Sequence, residues 1–328
     1  MSGSPSSPFD NISPWKDIKR VTDSFAGELV EIPKFYFKWT KDGSKMKLQI
    51  SMTKHNGFFT SPAHSDRGDG IGERDYIYVG RYKCASDYKS KTGVTPKNYN
   101  TRSQFVSGIH SLGSNVYIWD YLVYCTICML YLVEYANFNS QAMIGYGCSV
   151  SGSRMNTGYT DVVPYHTGTQ MSARTTYGGT QYRYIEGLWD NIHEYFGGIN
   201  TPDTTSLWIE KNPNNFADGQ IGINLGTISY PYHGLAHNFK FFDTSGFEGI
   251  FWPDNFESFP DGSSSVNSYI CDDMSSYGGK TVMRYSNYNQ CQNYGMFSLY
   301  GNNVSGSYTS DPNIGSRLMV LPPSRLSA

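Results

Sequence analysis

Two cysteines three residues apart, Cys125 and Cys128, and two histidines four apart, His233 and His237, are the closest-spaced pairs here that could bind a metal or do redox chemistry. A C-x-x-C pair serves redox exchange or zinc when its thiols are accessible. Here it lies inside the apolar run "VYIWDYLVYCTICMLYLVEYA" (residues 116–136), with no second close pair. On a helix that spacing puts both thiols on one face, so core packing is expected. Histidines at i and i+4 grip a metal on a helix. Around "HGLAH" the flanks "SYPY" and "NFKFF" have loop and strand character, and no acidic partner is near. In "SDRGDGIGERD", Asp66, Asp69, Glu73 and Asp75 could offer hard oxygens to calcium, without the spacing of an EF-hand loop. A solvated turn is expected there, including its Arg67-Gly68-Asp69 triplet. The chain has no nucleophile elbow, phosphate loop or dinucleotide fingerprint. Its dispersed carboxylates single out no glycosidase pair. No catalytic residue, resident metal or cofactor is expected; calcium is the one ion left open as a structural ligand.

A different chemistry, that of binding, marks "MRYSNYNQCQNYGMFSLYGNNVSGSYTSDPNIGSRLMVLP" (residues 283–322). Tyrosine gives a large, rigid contact with only two side-chain angles to freeze, and asparagine, serine and glycine give adaptable hydrogen bonds, as in antibody paratopes. Turns explain the asparagine and glycine, but not the tyrosine density. The candidate contact residues are Arg284, Tyr285, Asn287, Tyr288, Asn289, Gln290, Gln292, Asn293, Tyr294, Tyr300, Asn302 and Asn303, within a variable segment of about 283–311. Arg284 is the candidate hot spot. Met296, Phe297 and Leu299 are expected to alternate into a core beneath these residues, and residues 314–321 to form a buried closing strand.

Composition narrows the class. Lys+Arg number 26 against 28 Asp+Glu, so no basic excess points to nucleic acid. Charged residues are 16% and aromatic residues also 16%, with 27 tyrosines and 34 glycines. That profile suits an extracellular or virion protein with many turns and an adhesive surface, and the aromatics argue against disorder. The six cysteines are irregularly spaced in a chain far larger than those needing disulfide staples. Most are expected to be buried thiols, with the states of Cys271 and Cys291 open. The uncharged stretch 121–133 is too short for the roughly 20 apolar residues of a membrane span. No membrane insertion is expected.

These residues need elements to hold them. Residues 1–14, Ser/Pro/Gly-rich with no apolar signal-like run, read as a flexible lead-in, and 15–328 as one elaborated domain. "LVEIPKFYFKWT" (29–40) and "KMKLQISMT" (45–53) read as a hairpin turned at "KDGS", and residues 75–84 as another strand. "TRSQFVSGIHSLG" (101–113) reads as a short helix. A long helix follows, capped by Ser114 or Asn115 and ending near Asn137. The remainder is short strands and turns, which makes the chain α+β rather than alternating βαβ.

In this setting "YRYIEGLWDNIHEYFGGIN" (182–200) resembles the "GLWDMxGNVWEW"-type segment of the formylglycine-generating-enzyme-like branch of the C-type lectin fold. The matching positions are Gly187, Leu188, Trp189, Asp190, Asn191, Ile192, Glu194 and Tyr195. With the apolar helix before it and "IGSRL" after it, the order over residues 28–322 resembles phage and prophage tail receptor-binding proteins, including variable proteins of diversity-generating retroelements. The resemblance implies a C-type-lectin-like fold: two helices and a small antiparallel sheet with long decorated loops, the last strand anchoring the ligand-binding loops. It implies a non-enzymatic protein on a virion tail that meets a bacterial surface protein or glycan and other tail proteins, with a homotrimer as an allowed assembly. A bacterial-surface or pilus-tip variable adhesin shares the same features. A formylglycine-generating-type oxidoreductase would need Cys271 and Cys291 as a reactive pair, and their Cys-x-Arg-Tyr-Arg-like context is missing. The Glu-Pro-Asn and Gln-Pro-Asp tripeptides of calcium-bridged sugar sites are also absent. Adenine-directed diversification of AAC-type codons yields Asn, Tyr, Ser and Asp but not Glu or Lys; the last Glu is Glu257, and Lys280 is the only lysine after it.

Overall fold

The helix α2 (Tyr121–Tyr135) is the centre around which the chain packs. Asp120 caps it, its carboxylate accepting from Val123 N at 2.9 Å. Residues 121–131 are buried all the way round, which is why the sequence shows no polar face. Tyr121 and Tyr124 donate their hydroxyls to the carbonyls of Phe251 and Met296. Trp15 reaches Leu130 O through its indole nitrogen. At 15 residues α2 is about 22 Å long. Among the described residues no helix is long and apolar enough to cross a membrane.

The structure, a computed structural model, describes residues 7–42, 45–145, 154–162, 179–203, 205–228, 234–242, 244–257, 271–272, 281–284, 295–302 and 311–326. In chain order the first elements are β1 (Lys19–Asp23), β2 (Gly27–Pro33), β3 (Tyr36–Asp42), β4 (Lys45–Ser51), β5 (Phe59–Thr60) and β6 (Tyr76–Gly80). Then come α1 (Arg102–His110), β7 (Val116–Ile118), α2 and a short α3 (Ser140–Met143). They are followed by β8 (Gln181–Tyr182), β9 (Ile185–Glu186), β10 (His193–Asn200), β11 (Ser206–Ile209) and β12 (Ile223–Thr227). The last are β13 (Gly234–Phe241), β14 (Phe251–Glu257), β15 (Cys271–Asp272), β16 (Thr281–Arg284), β17 (Leu299–Asn302), β18 (Ile314–Gly315) and β19 (Leu318–Val320).

The strands form several small sheets, and the architecture is α+β. A five-stranded antiparallel sheet runs β1-β2-β6-β19-β7. A six-stranded sheet runs β12-β11-β10-β16-β17, with β18 joined to β10 in parallel. Three-stranded sheets β14-β13-β15 and β4-β3-β5 and the β8-β9 pair complete the set. Buried side chains from Trp15 to Leu321 belong to one apolar cluster.

The structure corrects three local expectations. The run 29–40 is two strands, not one: β2 lies in the five-stranded sheet, and after Pro33 the chain leaves it to start the β3–β4 hairpin. The long helix starts at Tyr121, not at Ser114 or Asn115, because residues 116–118 extend as β7 and pair with β19. Arg67 is not in a solvated turn: it is fully buried, 2.7 Å from Asp120. Within the expected lead-in, residues 8–11 form a capped 3-10 turn, Phe9 packs on Trp15, and Asp10 pairs with Arg183 at 3.0 Å. Helix α1 lies where expected, with a capping box between Thr101 and Gln104.

Candidate functional site

The segment Gly187–Tyr195 is wholly buried and ties four parts of the chain together. Gly187 has φ +67, and a Cβ there would meet the Tyr159 hydroxyl at 2.4 Å and Asp190 Oδ1 at 2.8 Å. Asp190 accepts from Thr180 N, the Thr180 hydroxyl and the Tyr159 hydroxyl. Trp189 donates its indole N–H to Gly145 O at 3.0 Å. Asn191 and Met155 exchange two hydrogen bonds, side chain to backbone. Beside them Glu186 accepts from Gly158 N, Thr160 N and the Thr160 hydroxyl. Burial, with the Asp190 charge adding to it, pushes the Glu186 carboxyl up to about 7 against the hydrogen bonds from Thr160 and Gly158.

Glu194 is the ionic hub. Lys83 Nζ is 2.7 Å from one carboxylate oxygen, and Arg317 grips both, at 2.8 and 3.2 Å. Arg317 spends its remaining donors on the carbonyls of Gly80, Arg81 and Glu186, and its guanidinium lies over the Trp119 ring. Burial opposes the Glu194 charge, but Arg317 and Lys83 outweigh it and hold the carboxyl below its ordinary range. One ion cluster thus fastens the Gly187–Tyr195 segment to β6 and to the approach to β19.

That frame carries the candidate contact residues. Arg284, Tyr300 and Asn302 come together on the β16–β17 hairpin at the edge of the six-stranded sheet. In register, Arg284 stands between Glu194 and Leu299, Tyr300 opposite Met283, and Asn302 opposite Thr281. Tyr285, Asn287, Tyr288, Asn289, Gln290, Gln292, Asn293, Tyr294 and Asn303 lie outside the described residues. Their flanks do not. Gly295 to Leu299 are buried: Met296 N bonds the Ser140 hydroxyl, and Phe297 packs against Tyr131, Phe138 and Phe239. Beyond residue 310 the chain is caught again, Pro312 O accepting from Asn98 and Arg154, and His193 N bonding Asn313 O. Ile314 then pairs with β10, and β19 becomes an interior strand between β6 and β7. Met296, Phe297 and Leu299 are buried as expected, though the whole run 295–299 is buried and they do not alternate. Residues 314–321 are buried as expected but are not one closing strand: they form β18 and β19, which join two different sheets.

The other candidate groups also have definite places. Cys84, Cys125 and Cys128 are buried free thiols, and burial raises the pKa of Cys84 and Cys125. Cys271 lies on β15 opposite Leu235, and Cys291 is outside the described residues. His237 is on β13, an extended strand rather than a helix, and His233 is outside the described residues. In the acidic loop Asp69 pairs with Arg74, Asp75 with Lys34, and Glu73 lies within 4 Å of Lys34 and Lys54. Asp66 accepts from Gly68 N. Among the described residues no group of three or more His, Cys, Asp or Glu is arranged to hold a metal.

Sequence reading missed the ionic ties Arg317–Glu194–Lys83 and Arg67–Asp120. The local signal for Arg317 is an arginine set next to apolar residues in "GSRLMV", whereas Arg67, between Asp66 and Gly68, has none, and the partners are distant in sequence. The chain matches no protein-family model, and no curated protein is significantly similar to it.

Proposed function

We propose that this chain is a non-enzymatic receptor-binding protein of the C-type-lectin-like kind, carried on a phage or prophage tail, whose Tyr/Asn-rich C-terminal segment contacts a bacterial surface protein or glycan. One observation carries the reading. From residue 285 to 310 no residue is charged, yet this stretch is fastened at three points: by β16, by the buried Gly295–Leu299 run, and by the buried return at residues 314–321. A rigid frame holding polar, aromatic, uncharged segments lets loop side chains choose a ligand without disturbing the fold. The lectin-like assignment is supported by the way Gly187, Trp189, Asp190, Asn191 and Glu194 each make a specific internal bond or close approach in the segment that carries the resemblance.

Sequencing the DNA beside the gene tests the diversification part. A reverse transcriptase and a near-copy repeat, mismatched at adenines in the codons for Tyr285, Asn289 and Asn302, are expected. A locus with no such repeat would remove retroelement diversification from the proposal.

A further inference from the structure

Glu186 and Glu194 belong to the same buried stretch but are satisfied in different ways. Glu194 is held by two cations, Arg317 and Lys83. Glu186 is held by neutral donors that all come from one loop, residues 154–162. Its Oε1 accepts from Gly158 N at 2.9 Å; its Oε2 accepts from Thr160 N at 3.0 Å and from the Thr160 hydroxyl at 2.7 Å. Among the described residues no lysine, arginine or histidine lies within ion-pair distance of Glu186.

The ionisable groups on the elements around it carry other partners. After β6, Arg81 bonds Asp161 and Gln181, and Lys83 meets Glu194 and the Gly187 carbonyl. Before β19, Arg317 grips Glu194 and reaches Glu186 only at its backbone carbonyl. In the β8–β9 pair Tyr182 and Arg183 bond Glu134, and Arg183 also meets Asp10. On β10 His193 is neutral, its pKa lowered to about 3 by burial. Within the loop, Tyr159 donates to Asp190, and Asp161 accepts from Arg81, Tyr82 and Thr92. Asp190, on Glu186's own stretch, adds a like charge that disfavours a carboxylate at Glu186.

A carboxylate has about four lone-pair sites. The loop fills both on Oε2 and one on Oε1, so a proton can add at Oε1 while all three hydrogen bonds persist. That proton removes a buried charge with no counter-charge, a costly state away from water. We infer that Glu186 is a pH-sensitive latch, which grips the loop 154–162 more tightly when protonated than when charged. Burial, with the Asp190 charge, sets the latched carboxyl at about 7, against 4.5 for an ordinary glutamate in water. The latched form therefore binds the proton better than the opened one. Its grip strengthens as pH falls from above 7 towards 4.5 and is weakest above 7. The loop also braces the frame: Arg154 donates to Pro312 O at 2.7 Å, where the Tyr/Asn segment returns, and Met155 bonds Asn191. The latch does not rest on what that segment binds.

Amide hydrogen exchange of the full chain tests this at Gly158 and Thr160. After correction for the intrinsic pH dependence of exchange, protection of these two amides should be about tenfold higher at pH 6 than at pH 8. That is the ratio for one group titrating at about 7 in the latched form and at 4.5 in the opened one. Glu186→Gln cannot gain a charge, and its protection at the two amides should not change between these pH values. Carboxyl-carbon NMR of the wild-type protein needs no variant and should show Glu186 titrating at about 7. A Glu186 midpoint in the ordinary glutamate range overturns the inference. So does protection that is equal at the two pH values or higher at pH 8. A Glu186→Gln protein that keeps the tenfold change would assign it to another group and overturn it as well.

Discussion

Glu194 and Tyr288 belong to regions that use polar side chains in opposite ways. Around Glu194 the polar groups are charged, buried and hydrogen-bonded: Arg317 and Lys83 share the one carboxylate, and Arg317 also donates to three backbone carbonyls. Such a cluster tolerates few changes, because removing Glu194 strands two buried cations away from water. From residue 285 to 310 the polar groups are amides, hydroxyls and phenols without one charge. Exchanging one of these for another carries no penalty of stranded charge. The first region specifies the fold; in the second, outside the buried Gly295–Leu299 run, the proposed function needs no charge to be matched when a side chain is exchanged. Their junction is short, since Arg284 neighbours Glu194 across the β10–β16 pairing.

The largest expected effect comes from breaking the first region. Glu194→Gln should destabilise the protein by about 3–5 kcal/mol, because Arg317 and Lys83 remain buried without their counter-charge. Chemical denaturation reads this directly, and a loss under 1 kcal/mol would show that the cluster does not hold the frame. Trp189→Ala, in the same segment, should cost about 3–5 kcal/mol through the cavity it leaves.

A smaller effect depends on pH. His64 is buried, its ring nitrogens bonded to Ile32 O and the Ser61 hydroxyl, and burial lowers its pKa to about 3. The unfolded chain takes up this proton below about pH 6.5 and the native protein does not. The His64 contribution is therefore complete above pH 6.5 and falls by about 1.4 kcal/mol per pH unit on acidification towards pH 3. The stability gap between wild type and His64→Gln should shrink from pH 7 to pH 5; a constant gap would mean that His64 takes up its proton as readily in the fold as in the unfolded chain. Thr101→Ala, which removes the cap of α1, should cost about 1 kcal/mol, readable as a shift in denaturation midpoint.

How much of this was legible depends on how local each cause is. The β3–β4 hairpin follows from alternation and "KDGS", and the α1 start from the Thr101–Gln104 capping box. The burial of Cys125 and Cys128 follows from their apolar surroundings. The start of α2 was not legible, because residues 116–118 become a strand only when β19, some 200 residues on, arrives to pair with them. Arg67 looked like a loop residue because its partner Asp120 is 53 positions away. In the candidate site, the apolar residues Met296, Phe297 and Leu299 within a polar segment marked the anchors, although the whole run 295–299 is buried rather than alternating. The placement of β17 at a sheet edge depends on pairings with β16 and β10 that no local pattern encodes.

The most direct test sets Tyr288→Ala beside Leu318→Ala in one experiment, reading melting and adsorption to bacterial strains that bind the wild-type protein. The account predicts that Tyr288→Ala changes stability by no more than about 0.5 kcal/mol while weakening adsorption, and that Leu318→Ala, fully buried in β19, costs about 2–5 kcal/mol. Equal destabilisation by the two substitutions, or undiminished adsorption by Tyr288→Ala, would contradict it.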